Sequence, residues 1–308
     1  MILKAVRKFT IFKKMNIKVV TPIFILIQRL DDIFLTVRIF LVCNFLSKNK
    51  RITNALRDVN KNGVGIISNF YNEEKIEELN RECSKMIDSI PVEKFINRHE
   101  IQQEPISIDD KQIYIEKFGP STKIKFLKNF NNFFNMITKN PEIALINKVY
   151  HLNFFYGPEI FYHHSNDGSS NHPIFKSNED KREITSLKLD KKDQTQRPHI
   201  DLYLHRLRAF IALNDVDISN GGTSYYEKSH KAKCLKTSSK NLFLQDFKFD
   251  TKTQDHYVSE DLMKEVSQES KKLDIKCKKG DLVLMDLKTV HHANRVIKGE
   301  RKILWFYY

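Results

Sequence analysis

The run Pro198-His199-Ile200-Asp201 sets an imidazole and a carboxylate two positions apart. On an extended strand, residues i and i+2 project to one face, so both groups can meet one metal ion at neighbouring corners of its coordination shell. Such a pair arises easily by chance and identifies nothing alone. A second histidine from a distant strand would complete a two-histidine, one-carboxylate facial triad, which leaves three metal positions open. The C-terminal stretch "HHANRVIKGERKILWFYY" offers His291 or His292, with Arg301 ten residues beyond the first of them. A guanidinium can grip a carboxylate through two parallel hydrogen bonds, which an ammonium cannot.

Short strands are what must position these groups. From Pro198 onward the chain reads as β: "RAFIALNDV", then "GGTSYYEKSH", then alternating Leu273, Ile275 and Cys277, a Lys279-Gly280-Asp281 turn, Leu282 to Met285, and "KILWFYY". Turn signals every ten residues or so predict a sandwich or jelly roll, and the absence of βαβ alternation argues against a doubly wound parallel sheet. Upstream, Asn62-Gly63 is a turn signal and Val64–Ile67 a short strand. Asn72 can cap a helix from Glu73 whose apolar positions Ile76, Leu79, Cys83, Met86 and Ile87 keep helical spacing. Residues 163–196 are polar and without pattern, which predicts a lid or insertion loop, with His163 and His164 on a solvated stretch.

The motifs also resemble a known family. "PHIDLYLHRLRAFIALNDVDISNGGTSYYEKSHK" is similar to the phytanoyl-CoA dioxygenase (PhyH) branch of the Fe(II)/2-oxoglutarate-dependent oxygenases, where His-x-Asp is followed by an apolar strand, an Asn-Asp-Val-Asp turn (214–217), an Asn-Gly turn (220–221), a tyrosine strand (225–226) and a Ser-His-Lys tail (229–231). "KKGDLVLMD" and the spacing of His291, Val296, Gly299 and Arg301 resemble the distal half of the same fold. The likeness spans about residues 55–308. It implies a double-stranded β-helix (a cupin-like jelly roll, mainly β with flanking helices), with iron on His199, Asp201 and His291 and the far carboxylate of 2-oxoglutarate on Arg301. It further implies hydroxylation of a C–H bond of a small-molecule or lipid-like substrate by O₂, with succinate and CO₂ released. Related halogenases lack the carboxylate ligand, so Asp201 points to hydroxylation. The chain departs from the family in having Lys228 where glycine is common and Gly222 where proline is common. The interval from His291 to Arg301 is closer to prolyl-hydroxylase spacing, which keeps a protein or peptide substrate as an alternative. A non-catalytic jelly roll is another, as is a cupin without 2-oxoglutarate, against which Arg301 argues. His292 and Arg295 are rivals of His291 and Arg301. His205 and His230 read as structural or surface residues, and Tyr203 as a pocket or core aromatic.

Composition narrows the rest. The formal charge of +14 is spread over scattered lysines with no basic-aromatic stacking pattern, so nucleic acid is not the expected partner. Four dispersed cysteines, with no C-x-x-C, fit a reducing, cytoplasmic setting. Residues 1–54 form a basic, apolar helical segment ahead of the 55–308 domain. Within residues 1–50 stand ten Lys or Arg against two acids, and neither apolar stretch reaches the ~20 residues needed to span a bilayer. Two readings stay open: a helix packed on the domain, or a basic amphipathic segment making peripheral membrane contact.

Overall fold

A computed structural model describes residues 17–90, 105–118, 121–128, 130–150, 159–167, 197–201, 207–232, 235 and 258–307. Eleven strands are seen among them: β1 Val64–Ile67, β2 Ile106–Ile108, β3 Lys111–Phe118, β4 Ser121–Lys128, β5 Glu159–Asn166, β6 Leu207–Ala212, β7 Thr223–Tyr226, β8 Lys272–Asp274, β9 Leu282–Asp286, β10 His291–Ala293 and β11 Glu300–Tyr307. They build one eight-stranded sheet, in the order β1-β9-β6-β11-β5-β4-β3-β2, and one three-stranded sheet, β10-β7-β8. Every pairing is antiparallel. Single bridges (His199 to His291, Val216 to Cys277, Asn220 to Val296) extend the smaller sheet's side. This is the double-stranded β-helix, with the helices that precede β5 packed on the outer face of the large sheet.

The last strand shows why "KILWFYY" looks continuously apolar. Ile303 and Trp305 point between the sheets, where they meet Phe210, Val216, Cys277 and Val283. Leu304 and Phe306 point the other way, into a second core shared with the helices. Both faces are buried, so alternation of polarity disappears. Burying each such large side chain contributes about 1.5–3 kcal/mol.

The helices are α1 Ile17–Leu41, α2 Lys50–Asn62, α3 Glu73–Asp88, α4 Asn131–Thr138, α5 Pro141–Tyr150 and α6 Glu260–Glu269, with a π-helical turn, Val42–Leu46, after α1. The Asn72 side chain accepts from Lys75 N and starts α3 where the sequence placed it. Asn62-Gly63 turns out to end α2, because Gly63 takes the left-handed conformation (φ 93°) that stops a helix. Leu35 and Ile39 of α1 join the core of the domain with Ile52 and Leu56 of α2, so the N-terminal helix packs on the domain by one face. The boundary set at residue 54 falls inside α2. Lys228 also sits at positive φ (65°), which explains why glycine suits that position.

The polar stretch from residue 163 needs correction at its start. His163–Asn166 are not a solvated loop; they complete β5 and are buried. Their polarity hid the strand, because inward-facing polar groups there satisfy one another. Residues 168–196, the bulk of the expected lid, lie outside the described residues, as do Tyr203, His205 and Cys234.

Opposite this strand, Glu300 Oε2 lies 2.9 Å from His164 Nε2, and its other oxygen meets Lys302. The His164 hydrogen bond, then Lys302, brings the Glu300 carboxyl from 4.5 down to about 2. A depressed carboxyl contributes stability above its unfolded pKa, and that contribution is lost as pH falls through the folded value. Thermal melts should therefore show wild type losing its advantage over Glu300→Gln between about pH 5 and 2. A constant gap across that window would mean Glu300 is not held by these partners.

Candidate metal centre

Backbone pairing brings the triad together. His199 N donates to His291 O and His291 N to His199 O, both at 3.0 Å, so the two residues form a hydrogen-bonded antiparallel pair with imidazole centroids 4.4 Å apart. Two residues on, Asp201 N donates to Leu287 O at 3.0 Å. The segment 197–201 thus runs against the loop Leu287–Val290 and the start of β10. That loop is braced from several sides. Asp286 Oδ1 accepts Lys288 N, and Ser229 Oγ of the Ser-His-Lys motif accepts Val290 N at 2.8 Å. Lys288 Nζ reaches Asp32 of α1 at 2.9 Å.

Both histidines are set in the same tautomer. His199 Nδ1 lies 2.7 Å from Arg197 O and His291 Nδ1 2.8 Å from Thr289 O. Each Nδ1 must donate to its carbonyl, which leaves the Nε2 atoms unprotonated and able to bind a metal. Those Nε2 atoms stand 3.7 Å (His199) and 3.4 Å (His291) from the Asp201 carboxylate oxygens. Neighbouring ligands on an octahedral ion, each at roughly 2.1 Å, are separated by about 3 Å. The three donor atoms lie within 4.8 Å of one another, and among the described residues no other group of His, Cys, Asp or Glu meets that description. His291 Nε2 and Asp201 Oδ2 are buried and make no aligned hydrogen bond among the described residues. The donor set fits a divalent ion of intermediate softness. His292 faces elsewhere, its Nδ1 directed at Ala293 O.

The electrostatics agree with that use. Burial, then the neighbouring His291, pushes His199 down to about 4, so its ring is neutral at physiological pH. Burial alone would raise the Asp201 carboxyl, but Arg208, followed by His291, outweighs it and holds the group well below the usual carboxylate range.

Arg208 is a residue the sequence did not reveal. Its Nη1 lies 2.9 Å from Asp201 Oδ2 and its guanidinium sits over the Trp305 ring, 4.8 Å from the centroid. Trp305 Nε1 in turn donates to His163 Nδ1 at 3.2 Å. His163 must then carry its proton on Nε2, which donates to Ser165 Oγ at 3.2 Å. Burial, then Arg301, keeps His163 neutral. Ser165 Oγ also accepts from Arg301 Nη2 at 3.3 Å and lies 2.7 Å from Ser121 Oγ. A polar chain therefore crosses the inner face of the large sheet from Asp201 to Arg301.

Arg301 is buried at the start of β11, on the face that carries Ile303 and Trp305. Its Nη1 donates to Gly221 O. Gly221 has φ 88°, and a Cβ there would stand 2.7 Å from Val296 Cγ2, so the Asn-Gly turn that offers this carbonyl needs glycine. Asn214 and Asn220 both donate to Glu300 O, locking the two turns onto β11 beside the arginine. Arg295, the rival, is exposed. His230 is buried, with Nε2 3.1 Å from Asn60 O, and is structural.

We take Arg208 as a positioning residue for the Asp201 carboxylate. Outer partners of metal ligands change affinity by about 10–100-fold. Arg208→Ala should lower Fe(II) affinity in that range, with Arg208→Lys intermediate. Equilibrium dialysis with metal analysis reads this directly, and affinity within about twofold of wild type would remove Arg208 from the site.

Comparison with known proteins follows the same direction. The sequence model of the phytanoyl-CoA dioxygenase (PhyH) family matches residues 59–301. No curated protein sequence matches the chain. Among solved structures it is similar to the 2-oxoglutarate-dependent carbocyclase SnoK of nogalamycin biosynthesis (15% identity, TM-score 0.46, covering 86% of this chain and 85% of that one). It is also similar to the epimerase SnoN in complex with Fe³⁺, 2-oxoglutarate and a nogalamycin compound (12%, TM-score 0.49, 83% and 82%). A third is HygX from Streptomyces hygroscopicus with nickel, 2-oxoglutarate and hygromycin B (11%, TM-score 0.45, 82% and 85%).

Proposed function

The chain belongs to the phytanoyl-CoA dioxygenase family of Fe(II)/2-oxoglutarate-dependent enzymes, and from that premise we propose that it hydroxylates a C–H bond of a small-molecule or lipid-like substrate. The observation that carries the reading is the convergence of His199, Asp201 and His291, with both Nε2 atoms turned to the carboxylate and a buried arginine on the adjoining sheet face. In this reading His199, Asp201 and His291 hold the iron. Iron with 2-oxoglutarate and O₂ supplies the oxidising equivalents for C–H cleavage, with succinate and CO₂ as co-products.

The protein's own work is to bind, orient and exclude water. Arg301 grips the far carboxylate of 2-oxoglutarate, and Gly221 O and Ser165 Oγ hold its guanidinium in place for a two-point contact. Arg208 keeps Asp201 anionic and turned inward. The neutral His163 adds polarity without adding charge. Among the described residues, the buried Arg301, the half-buried Arg208 and the metal's own charge outweigh the Asp201 carboxylate and make a positive cavity, which suits a dianionic co-substrate. Ile303 and Trp305 line the same face and keep it poor in water, which strengthens each polar contact. The presence of Asp201 supports hydroxylation over halogenation, since a carboxylate takes the corner a halide would need.

The test is anaerobic addition of Fe(II) and 2-oxoglutarate to the purified chain, followed by screening of candidate substrates for coupled succinate release. A weak visible charge-transfer band is the expected signature of the chelated co-substrate. Absence of a band together with no iron uptake would reject the oxygenase reading in favour of a binding protein on a jelly roll. Succinate release coupled only to peptides would move the substrate class to proteins.

A further inference from the structure

The outer face of α1 and its π-helical turn presents apolar side chains that the fold does not cover. Leu30, Ile33, Phe34, Val37 and Phe40 are each 42–57% exposed, and Phe45 is 72% exposed. Their spacing of three and four residues puts the helical members on one stripe, opposite Leu35 and Ile39, which pack inward. A contiguous apolar patch of this kind on a soluble domain marks a contact surface.

Charge selects the occupant. Residues 1–50 carry ten Lys or Arg against two Asp, and of those acids Asp32 is already tied to Lys288. Arg29, Lys48 and Lys50 are exposed beside the stripe. Two copies of the chain meeting through this face would set two strongly positive segments together, whereas an anionic bilayer would take both the apolar stripe and the charge. No helix among the described residues is long and apolar enough to cross a membrane. We propose that α1 and the turn Val42–Leu46 form an interfacial docking surface for membranes containing anionic phospholipid. The Asp32–Lys288 pair joins this helix to the loop that holds Asp201 and His291. A docked protein therefore presents its metal centre at one orientation to the bilayer.

The 308-residue chain would be sedimented with vesicles of phosphatidylcholine alone and with vesicles containing roughly one-third phosphatidylglycerol. The expected result is pelleting with the anionic vesicles, weakened by high salt. The triple variant Ile33→Ser, Phe40→Ser, Phe45→Ser should lower the partition coefficient about tenfold or more. Its positions are exposed, so far-UV circular dichroism and Tm should stay close to wild type. Should the triple variant fail to fold, Arg29→Gln, Lys48→Gln, Lys50→Gln keeps the test, and it should weaken binding to anionic vesicles alone. Wild type remaining in the supernatant, or pelleting unchanged in a folded variant, overturns the proposal. So does a wild-type dimer that the triple variant dissociates without vesicle binding, since the face would then belong to a second copy. Vesicle binding is read without turnover, so this outcome is independent of the catalytic assignment.

Discussion

Asp201→Ala is expected to abolish Fe(II) binding at working concentrations and, with it, 2-oxoglutarate turnover. Removing an outer partner of a metal ligand already costs about 10–100-fold in affinity, so losing a ligand should exceed a hundredfold. The structure makes Asp201 more than one ligand of three. It is the group both Nε2 atoms face, at 3.7 and 3.4 Å, and the only negative charge among the triad, Arg208 and Arg301. Without it, the metal would share the cavity with Arg208 and Arg301 uncompensated. The control is His292→Ala. That side chain is turned away from Asp201, so iron affinity should stay within about twofold of wild type. Equilibrium dialysis with metal analysis distinguishes the two. Wild-type iron content in Asp201→Ala, or loss of iron in His292→Ala, would contradict the assignment of the triad.

Arg301→Ala should leave iron binding intact and weaken 2-oxoglutarate binding by about a hundredfold or more. Two charge-assisted hydrogen bonds at about 1.5–3 kcal/mol each set that scale. Arg301→Lys keeps the charge and loses the planar fork, so an intermediate defect is expected. Titrating 2-oxoglutarate into the anaerobic iron form and following the visible band gives the dissociation constant apart from chemistry. Because Arg301 is buried and bonded to Gly221 O and Ser165 Oγ, Tm must be measured beside it. An unchanged 2-oxoglutarate affinity in a folded variant would transfer the carboxylate contact to another cation.

Ser165→Ala probes the support of that arginine. It removes the hydroxyl that meets His163, Ser121 and Arg301 together. A several-fold rise in the 2-oxoglutarate KM, with kcat little changed, is expected from the loss of one hydrogen bond of about 1 kcal/mol. No change in KM would mean the guanidinium is held by Gly221 and its sheet neighbours alone.

Much of this protein was legible in the chain itself. The His199-x-Asp201 pair, the Asn72 cap, the strand Val64–Ile67 and the antiparallel β character all follow from local rules. Period-2 projection, cap chemistry and turn residues act over a few positions, so spacing alone carries them. The place of Arg301 near the start of a buried strand was legible for the same reason.

Other features depended on the tertiary structure. That His291, rather than His292, faces Asp201 follows from its hydrogen-bonded pairing with His199, a contact between residues far apart in sequence. The strand His163–Asn166 looks like loop in the sequence because its inward residues are polar. Trp305, Arg301, Ser121 and Glu300, which come from β11 and β4, are among the partners that hold them there. Arg208 sits at the head of an ordinary apolar strand and acquires meaning only beside Asp201 and Trp305. The N-terminal helix is apolar nearly all round, and hydrophobicity cannot say which side the domain covers; packing of Leu35 and Ile39 leaves the opposite stripe outside. Local geometry, then, determined which chemistry the chain could hold. Long-range pairing decided which copies of each residue type meet, because burial and hydrogen-bond satisfaction are properties of the assembled sheets and not of any one segment.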